Sequence, residues 1–195
     1  MLEAARRYDT KCFVYISSAA VYRIPTYLPI DEKHTANPIS PYGISKLTGE
    51  RYSLLYHELY GLSATCIRPF NIFGPGQMKN SYSGVITKFM ENVKNGENPT
   101  IFGDGNQTRD FVYINDIVEA ILLVAENNNA IGQVFNIGIG NNVTIKELAN
   151  IPRIGDIAES YSDIAKARKI LGYEPKYSLE DGLRPYFKHS YSIEK

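Results

Sequence analysis

Cys12-Phe13-Val14-Tyr15-Ile16-Ser17-Ser18 is a short, unbroken apolar run, rich in β-branched and aromatic residues, that ends in two hydroxyls. Such a run fits a strand of a parallel sheet, which is buried on both faces and therefore lacks polar alternation. The residues downstream of it decide between that reading and a buried helical segment. Residues 23–41 carry four prolines and little periodicity, so they read as a loop, expected to wrap over whatever lies at the strand end. Ser40-Pro41-Tyr42-Gly43-Ile44-Ser45-Lys46 then opens a helix, with Ser40 as N-cap and proline at the first helical position, where a missing N–H costs nothing. This helix is expected to run to about Tyr60, with Ile44, Leu47, Leu54, Leu55 and Leu59 roughly on one stripe, and to stop at Gly61. His57 on it reads as a solvated surface residue. Leu62 to Arg68 is a second strand, so strand, helix and strand succeed one another with short connections. That is a βαβ unit, and it places the chain in the α/β class with a parallel sheet.

The pattern continues downstream. A helix is expected over Tyr82–Lys94, a strand over Thr100-Ile101-Phe102, a turn at Gly103-Asp104-Gly105 and a strand over Thr108–Ile114. Asn115-Asp116 should cap an apolar helix through Ala125, and Val134–Gly138 is another strand. Thr144-Ile145-Lys146-Glu147 is a capping box, opening a helix that is cut short near Asn150. An internal deletion of about 20 residues before Pro152, a helix end plus a strand, would fit that gap by ordinary element lengths. Asp163 should cap a helix ending at Gly172, and Ser178 should start the last one. Met1-Leu2-Glu3-Ala4-Ala5-Arg6-Arg7 looks like the C-terminal half of an amphipathic helix without its cap, as though the chain began inside a domain.

With 195 residues and 44% hydrophobic content, the chain can form one sizeable domain or two small ones with a real core. Its net charge is zero and its basic residues are dispersed, which argues against nucleic acid or an anionic membrane surface as a partner. No apolar run is long enough to span a bilayer. Cys12 and Cys66 both lie in apolar, strand-like runs, as expected of buried, reduced thiols in a cytoplasmic protein. No metal site is expected.

In open α/β sheets ligands sit at the carboxyl ends of the strands. Ser17 and Ser18 after the first strand, and Asn71 after the second, therefore fall on one side of the sheet, although serines there can also simply turn the chain. Tyr42 and Lys46 are four apart and share a helix face. An ammonium near a phenol favours phenolate and lowers the tyrosine pKa from its reference of about 10, which suits a general base. The spacing alone decides little, since a chain with 15 tyrosines repeats it at Tyr191 and Lys195. Arg109 beside the glycine-rich turn suits a pyrophosphate, which its planar fork can hold bidentately; it equally suits a surface pair with Asp110.

Taken together, Val14-Tyr15-Ile16-Ser17-Ser18-Ala19-Ala20-Val21-Tyr22, Ser40–Lys46, Arg68-Pro69-Phe70-Asn71-Ile72-Phe73-Gly74-Pro75-Gly76 and Arg109-Asp110-Phe111-Val112-Tyr113-Ile114-Asn115-Asp116 resemble the extended short-chain dehydrogenase/reductases. These are NAD-dependent nucleotide-sugar epimerases and dehydratases, and the nearest pattern is the UDP-glucose 4-epimerase group. The resemblance implies that residues 1–76 form the C-terminal part of a Rossmann dinucleotide-binding domain, with 108–138 returning to it. Residues 77–107 and 139–195 would then form a small α/β substrate-binding subdomain. It implies Ser18, Tyr42 and Lys46 as catalytic residues: Ser18 hydrogen-bonds the reacting sugar hydroxyl, Tyr42 is the base, and Lys46 is its partner and holds the nicotinamide ribose. Ser17 and Pro69 would line the NAD site with Tyr42 and Lys46. Asn71, Arg109 and Arg153 would hold the diphosphate of a UDP-hexose, and the family is expected to be homodimeric.

Three features depart from the family's pattern, one of them the helix cut short near Asn150 with its expected deletion before Pro152. No glycine-rich fingerprint opens a βα unit in this chain, so roughly half of the dinucleotide-binding sheet, on the order of a hundred residues, is expected to be missing. Arg23 stands where the family has glycine and is expected to crowd its loop. Ala19 and Ala20 stand where the 4,6-dehydratases carry an acidic pair and where UDP-glucuronate decarboxylases place a glutamate; apolar side chains cannot do that acid–base work. The main expectation is transient C4 oxidation and re-reduction of a UDP-hexose. The alternatives are a dehydratase or decarboxylase of the same family, or an inactive remnant that binds a nucleotide sugar or, through an exposed sheet edge, a complementing chain.

Overall fold

The computed structural model describes residues 1–77, 84–101, 103–148 and 160–192. The elements in order are α1 (Leu2–Arg7), β1 (Phe13–Ile16), a 3₁₀ turn (Ala19–Val21), α2 (Pro41–Tyr60), β2 (Ala64–Pro69), β3 (Asn71–Phe73) and α3 (Val85–Lys94). Next come β4 (Thr108–Arg109), β5 (Phe111–Tyr113), α4 (Ile114–Glu126), β6 (Val134–Ile137), β7 (Val143–Thr144), α5 (Ile145–Leu148), α6 (Ala165–Leu171) and α7 (Leu179–Ser192).

β1, β2 and β6 form a parallel sheet in that order, with Phe13 opposite Ala64 and Cys66 opposite Val134. The strand period of two divides the side chains between its faces. Val14, Ile16 and Ile67 join Phe135, Ile137 and the inner faces of α4 and α6 in the main core. Phe13 and Ala64 face the other way, toward α1 and the end of α2. β2 lies in the middle and is buried throughout, whereas every residue of β1 is half-buried. The outer edge of β1 pairs with no strand among the described residues.

The chain kinks at Phe70 and continues as β3, which pairs in parallel with β5, and α7 packs on this second layer where Gly182 lies against the rings of Phe73 and Tyr113. A second core of Phe73, Ile86, Phe89, Ile101, Phe111 and Tyr113 fills the space between β3, β5 and α3. The antiparallel pair of β4 and β7 closes this side.

The caps read from sequence at both ends of α2 are present: Ser40 Oγ accepts the Gly43 N–H at 3.0 Å and Gly61 ends the helix at φ 69°. The apolar stripe of α2 is not its buried face, although Leu47 and Leu54 are half-buried. Ile44, Leu55 and Leu59 are exposed, and the buried residues of α2 are Gly43, Glu50 and Ser53. The reason is an ion pair: Glu50 meets Arg68 of β2 in two hydrogen bonds of 2.6 and 2.9 Å, and both side chains are buried. His57 is half-buried rather than solvated, with Nδ1 2.9 Å from the Leu62 carbonyl, which ties the helix end to the start of β2.

Other differences have similar nonlocal causes. The strand expected over 108–114 breaks at Asp110, whose fully buried carboxylate accepts the N–H groups of Ile139, Gly140 and Ser162. Burial is the main influence on this carboxyl and raises its pKa, against those donors. The surface-pair reading of Arg109 with Asp110 therefore fails. Asp116 is not a cap; α4 starts after Tyr113, and the Asp116 carboxylate accepts from Lys176 and Tyr177, sixty residues on. The cap of α6 sits at Ile164, with the Asp163 carboxylate accepting the Ala165 N–H. Thr100 and Ile101 form no strand, and Phe102 lies outside the described residues, as do Tyr82, Asn150 to Asp156 and Lys195. Arg23 is exposed. The capping boxes at Thr144–Glu147 and Ser178–Asp181 are formed.

Both cysteines are free thiols, Cys66 buried and Cys12 half-buried. Burial pushes the Cys66 thiol up to about 12. One thiol is therefore expected to react with Ellman's reagent in the native chain and the second only on unfolding in urea, because the reactive species is the thiolate. Two thiols of equal native reactivity would contradict this burial. No helix among the described residues is long and apolar enough to cross a membrane.

Candidate active site

Where β1 ends, the Ser17 N–H still donates to the Ile67 carbonyl at 2.8 Å, so the ladder fixes this residue. Its side chain is buried, and Oγ has no hydrogen-bond partner among the described residues. Ser18 is extended and caps the 3₁₀ turn, accepting the Ala20 N–H at 3.1 Å. The Ala20 carbonyl rests directly on α2 at Gly43, where any Cβ would overlap it. Glycine there lets the serine turn sit on the first turn of α2, next to Tyr42.

Tyr42 and Lys46 project from that same end of α2. Lys46 Nζ donates to the Ile16 carbonyl at 3.0 Å and lies 5.7 Å from the centre of the Tyr42 ring. The lysine thus bridges α2 to the last residue of β1. Asn71, just past β2, is held by its own N–H and Nδ2, which both donate to the Asp110 carbonyl at 3.0 and 3.1 Å.

These residues share one cavity of about 1100 Å³. Its polar wall holds Ser17, Ser18, Ser40, Tyr42, Lys46 and Asn71, with Pro69 beside them; its apolar wall is Phe70, Ile72, Phe73, Val85, Ile86 and Phe111. Of the loop expected to wrap over the site, only Ser40 and Pro41 reach the cavity. The remainder is pinned elsewhere, through Ile30 against Tyr161, Asp163 and Asn136. Arg109 is not among the lining residues; its Nη1 donates to the Thr108 carbonyl at 2.7 Å. Arg153 lies outside the described residues.

Sequence reasoning missed Gln77, which lines the cavity and accepts from Thr87 Oγ1 at 2.6 Å. It also missed the polar support behind the site. Arg68 binds the Tyr22 hydroxyl at 2.7 Å as well as Glu50, and that hydroxyl donates to Asn136 Oδ1 at 2.7 Å. Burial drives the Tyr22 pKa up to about 12, against the pull of Arg68. Burial works against the Arg68 charge, yet the hydrogen bonds it donates to Glu50 carry its pKa above the ordinary value. The helical spacing Tyr42, Lys46, Glu50 was the available signal, since residues at i, i+4 and i+8 share a face.

Residues 1–138 match the NAD dependent epimerase/dehydratase family. The chain belongs to that family. It is 40% identical over 200 residues to the "Putative UDP-glucose 4-epimerase" of Methanocaldococcus jannaschii, a match covering 94% of this chain and 64% of that protein. The UDP-glucose 4-epimerase of Thermotoga maritima, solved with UDP-glucose, superposes at a TM-score of 0.92 with 36% identity, covering 100% of this chain and 68% of that one. The UDP-glucuronic acid 4-epimerase of Bacillus cereus, solved with UDP-glucuronic acid and NAD, superposes at 0.89 with 30% identity, covering 98% of this chain and 65% of that one. The chain thus spans a little under two thirds of the length of the curated relatives it matches.

Proposed function

We propose that this chain carries the sugar-facing half of an NAD-dependent 4-epimerase acting on UDP-hexoses. The observation that carries the reading is the convergence of Ser18, Tyr42, Lys46 and Asn71 on one cavity at the carboxyl ends of β1 and β2. Bound at this end of the cavity beside Ser17 and Lys46, NAD would supply the acceptor for the C4 hydride of the sugar and the donor for its return. Tyr42 lines the cavity and, as phenolate, takes the proton of the sugar 4-hydroxyl to become the phenol, and Ser18 Oγ hydrogen-bonds the same hydroxyl. Lys46 holds a positive charge beside Tyr42 that favours the phenolate form needed for this step. Asn71 and Pro69 form the floor on which the bound molecules lie, and Arg109 and Arg153 are assigned to the diphosphate. Ala19 and Ala20 offer no acid or base for chemistry at C5 or C6, which supports epimerisation over dehydration.

The residues present fit the nicotinamide-ribose end of NAD: the Ser17 hydroxyl is orphaned on the cavity wall, and the Lys46 ammonium uses one of its three donors on Ile16. The chain contains no glycine-rich turn opening a helix, which is what cradles a dinucleotide pyrophosphate. Titration calorimetry of the 195-residue chain with NAD is therefore expected to show no micromolar binding; micromolar affinity would overturn this assignment of the two ends. The activity itself is tested by incubating the chain with UDP-glucose and millimolar NAD and separating the sugar nucleotides. UDP-galactose supports the epimerase. Bound UDP-glucose without product would favour the second reading, a non-catalytic binding module, which the open edge of β1 also supports.

The chain is further assigned a homodimeric state through α2. Ile44, Tyr52, Leu55 and Leu59 are all exposed and recur at helical spacing along one stripe, an arrangement that is buried when two such helices pack. Sedimentation equilibrium is expected to give a dimer, and Leu55→Glu combined with Leu59→Glu a monomer; an unchanged mass for the double variant would exclude this face.

A further inference from the structure

We propose that Tyr15 is a positioning residue for Lys46: its ring forms the fixed inner wall of a cage that holds the lysine ammonium at the cavity. The proposal rests on Lys46 belonging to the site assigned above. Tyr15 itself does not line the cavity, so its action is through the lysine.

A lysine side chain is a point charge on a flexible four-carbon stem, and a single hydrogen bond leaves it considerable rotational freedom. Lys46 makes one such bond, to the Ile16 carbonyl. Its ammonium also lies near two aromatic rings, 5.8 Å from the centre of the Tyr15 ring and 5.7 Å from that of Tyr42. Both distances are within reach of the attraction between a cation and an aromatic quadrupole, about 6 Å. The two walls differ in kind. Tyr42 is more than half exposed and is the residue assigned to move a proton, so it is free to shift during a reaction cycle. Tyr15 stands on β1, one residue before the carbonyl that Lys46 binds, and its backbone is locked opposite Cys66 in the sheet.

The helix is shaped to receive this ring. Gly49 sits in the interior of α2, where glycine is the poorest helix former after proline. A Cβ built there would overlap the Tyr15 hydroxyl and Cζ and come within 2.8 Å of Cε2. The hydroxyl end of the ring therefore lies against the bare helix backbone at Gly49, three residues beyond Lys46, in space that any side chain there would take. Strand, glycine and ring together set where the ammonium can be.

Two measurements test this. Trace acetylation of the folded chain, read by peptide mass spectrometry, reports how accessible Lys46 is without requiring turnover. Tyr15→Phe, which keeps the ring, is expected to leave the Lys46 labelling rate near that of the parent. Tyr15→Leu and Tyr15→Met, which fill the space without an aromatic face, are expected to raise it about tenfold relative to the other lysines, as is Gly49→Ala, which displaces the ring without removing it. In the UDP-glucose conversion assay the same non-aromatic variants should lose roughly tenfold to hundredfold in kcat with little change in KM, and Tyr15→Phe should retain kcat. Unchanged Lys46 labelling in folded Tyr15→Leu, Tyr15→Met or Gly49→Ala overturns the proposal, as does equal damage from Tyr15→Phe and Tyr15→Leu. A parent chain that makes no UDP-galactose would instead count against the epimerase reading, while the labelling comparison would still decide the role of Tyr15.

Discussion

Arg68→Met is expected to cost about 3–5 kcal/mol of folding stability, enough to remove much of the 5–15 kcal/mol typical of a domain. The cost comes from what is left behind. Glu50 is 1% exposed at its side chain and its carboxylate has both Arg68 bonds as its charge partner. Methionine fills the volume of arginine but offers nothing to an ionised carboxylate, which then stays buried and unpaired or must take up a proton. Tyr22 is hurt less, since its hydroxyl still donates to Asn136. The double variant Glu50→Met with Arg68→Met removes both charges and should recover most of the loss, because a buried ion pair and a well-packed apolar pair of similar volume are often close in stability. Urea denaturation of the parent, the two single variants and the double variant closes the cycle. A single-variant loss under about 1 kcal/mol, or a double variant as unstable as the singles, would show that the pair is not what holds α2 to β2.

That pair also marks where sequence reading stopped. The strand–helix–strand frame was legible because each boundary has a local cause: Ser40 and Pro41 at one end of α2, Gly61 at the other, apolar runs on either side. The buried face of α2 was not, because hydrophobic periodicity sends leucine inward and glutamate outward. Here the helix presents Gly43, Glu50 and Ser53 to the sheet and leaves Ile44, Leu55 and Leu59 outside. Glu50 is inward only because Arg68, eighteen residues away, is there to meet it, and no window of local sequence contains both. Asp110 and Asp116 fail the same way. Each looks local, the one as half of a surface pair and the other as a cap, yet their hydrogen-bond partners lie at Ile139, Gly140 and Ser162 and at Lys176 and Tyr177.

The candidate site was more legible than the packing around it. The rule that ligands gather at the carboxyl ends of parallel strands picked Ser17, Ser18 and Asn71, and helical spacing added Tyr42 and Lys46; all five line one cavity. The opposite wall, with Phe73, Ile86 and Phe111, was hidden because these residues also belong to a core and a linear sequence does not distinguish a core face from a cavity face. Arg109 was chosen on charge and a neighbouring glycine turn, and it does not line this cavity, so its assignment to the diphosphate rests on the family pattern rather than on the cavity wall.

Tyr42→Phe should lower kcat for conversion of UDP-glucose to UDP-galactose by about 10²–10⁴-fold, the range for loss of a positioned general acid–base group. The substitution removes one oxygen and leaves the ring, so the aromatic face toward Lys46 at 5.7 Å remains and the helix is undisturbed. More than half of the Tyr42 surface is exposed, and folding stability should change by no more than about 0.5 kcal/mol, as for surface substitutions generally. KM for UDP-glucose should move little, because the hydroxyl is assigned to a proton transfer that matters in the transition state rather than to ground-state affinity. Ser18→Ala should show the same pattern with a smaller loss in kcat, since it removes a hydrogen bond to the sugar hydroxyl but not the base. If Tyr42→Phe retained more than about a tenth of the parent kcat, the base would have to be sought elsewhere on the cavity wall. If KM rose in step with the fall in kcat, Tyr42 would be a binding residue, and the Ser18 hydroxyl would be the next candidate for the proton.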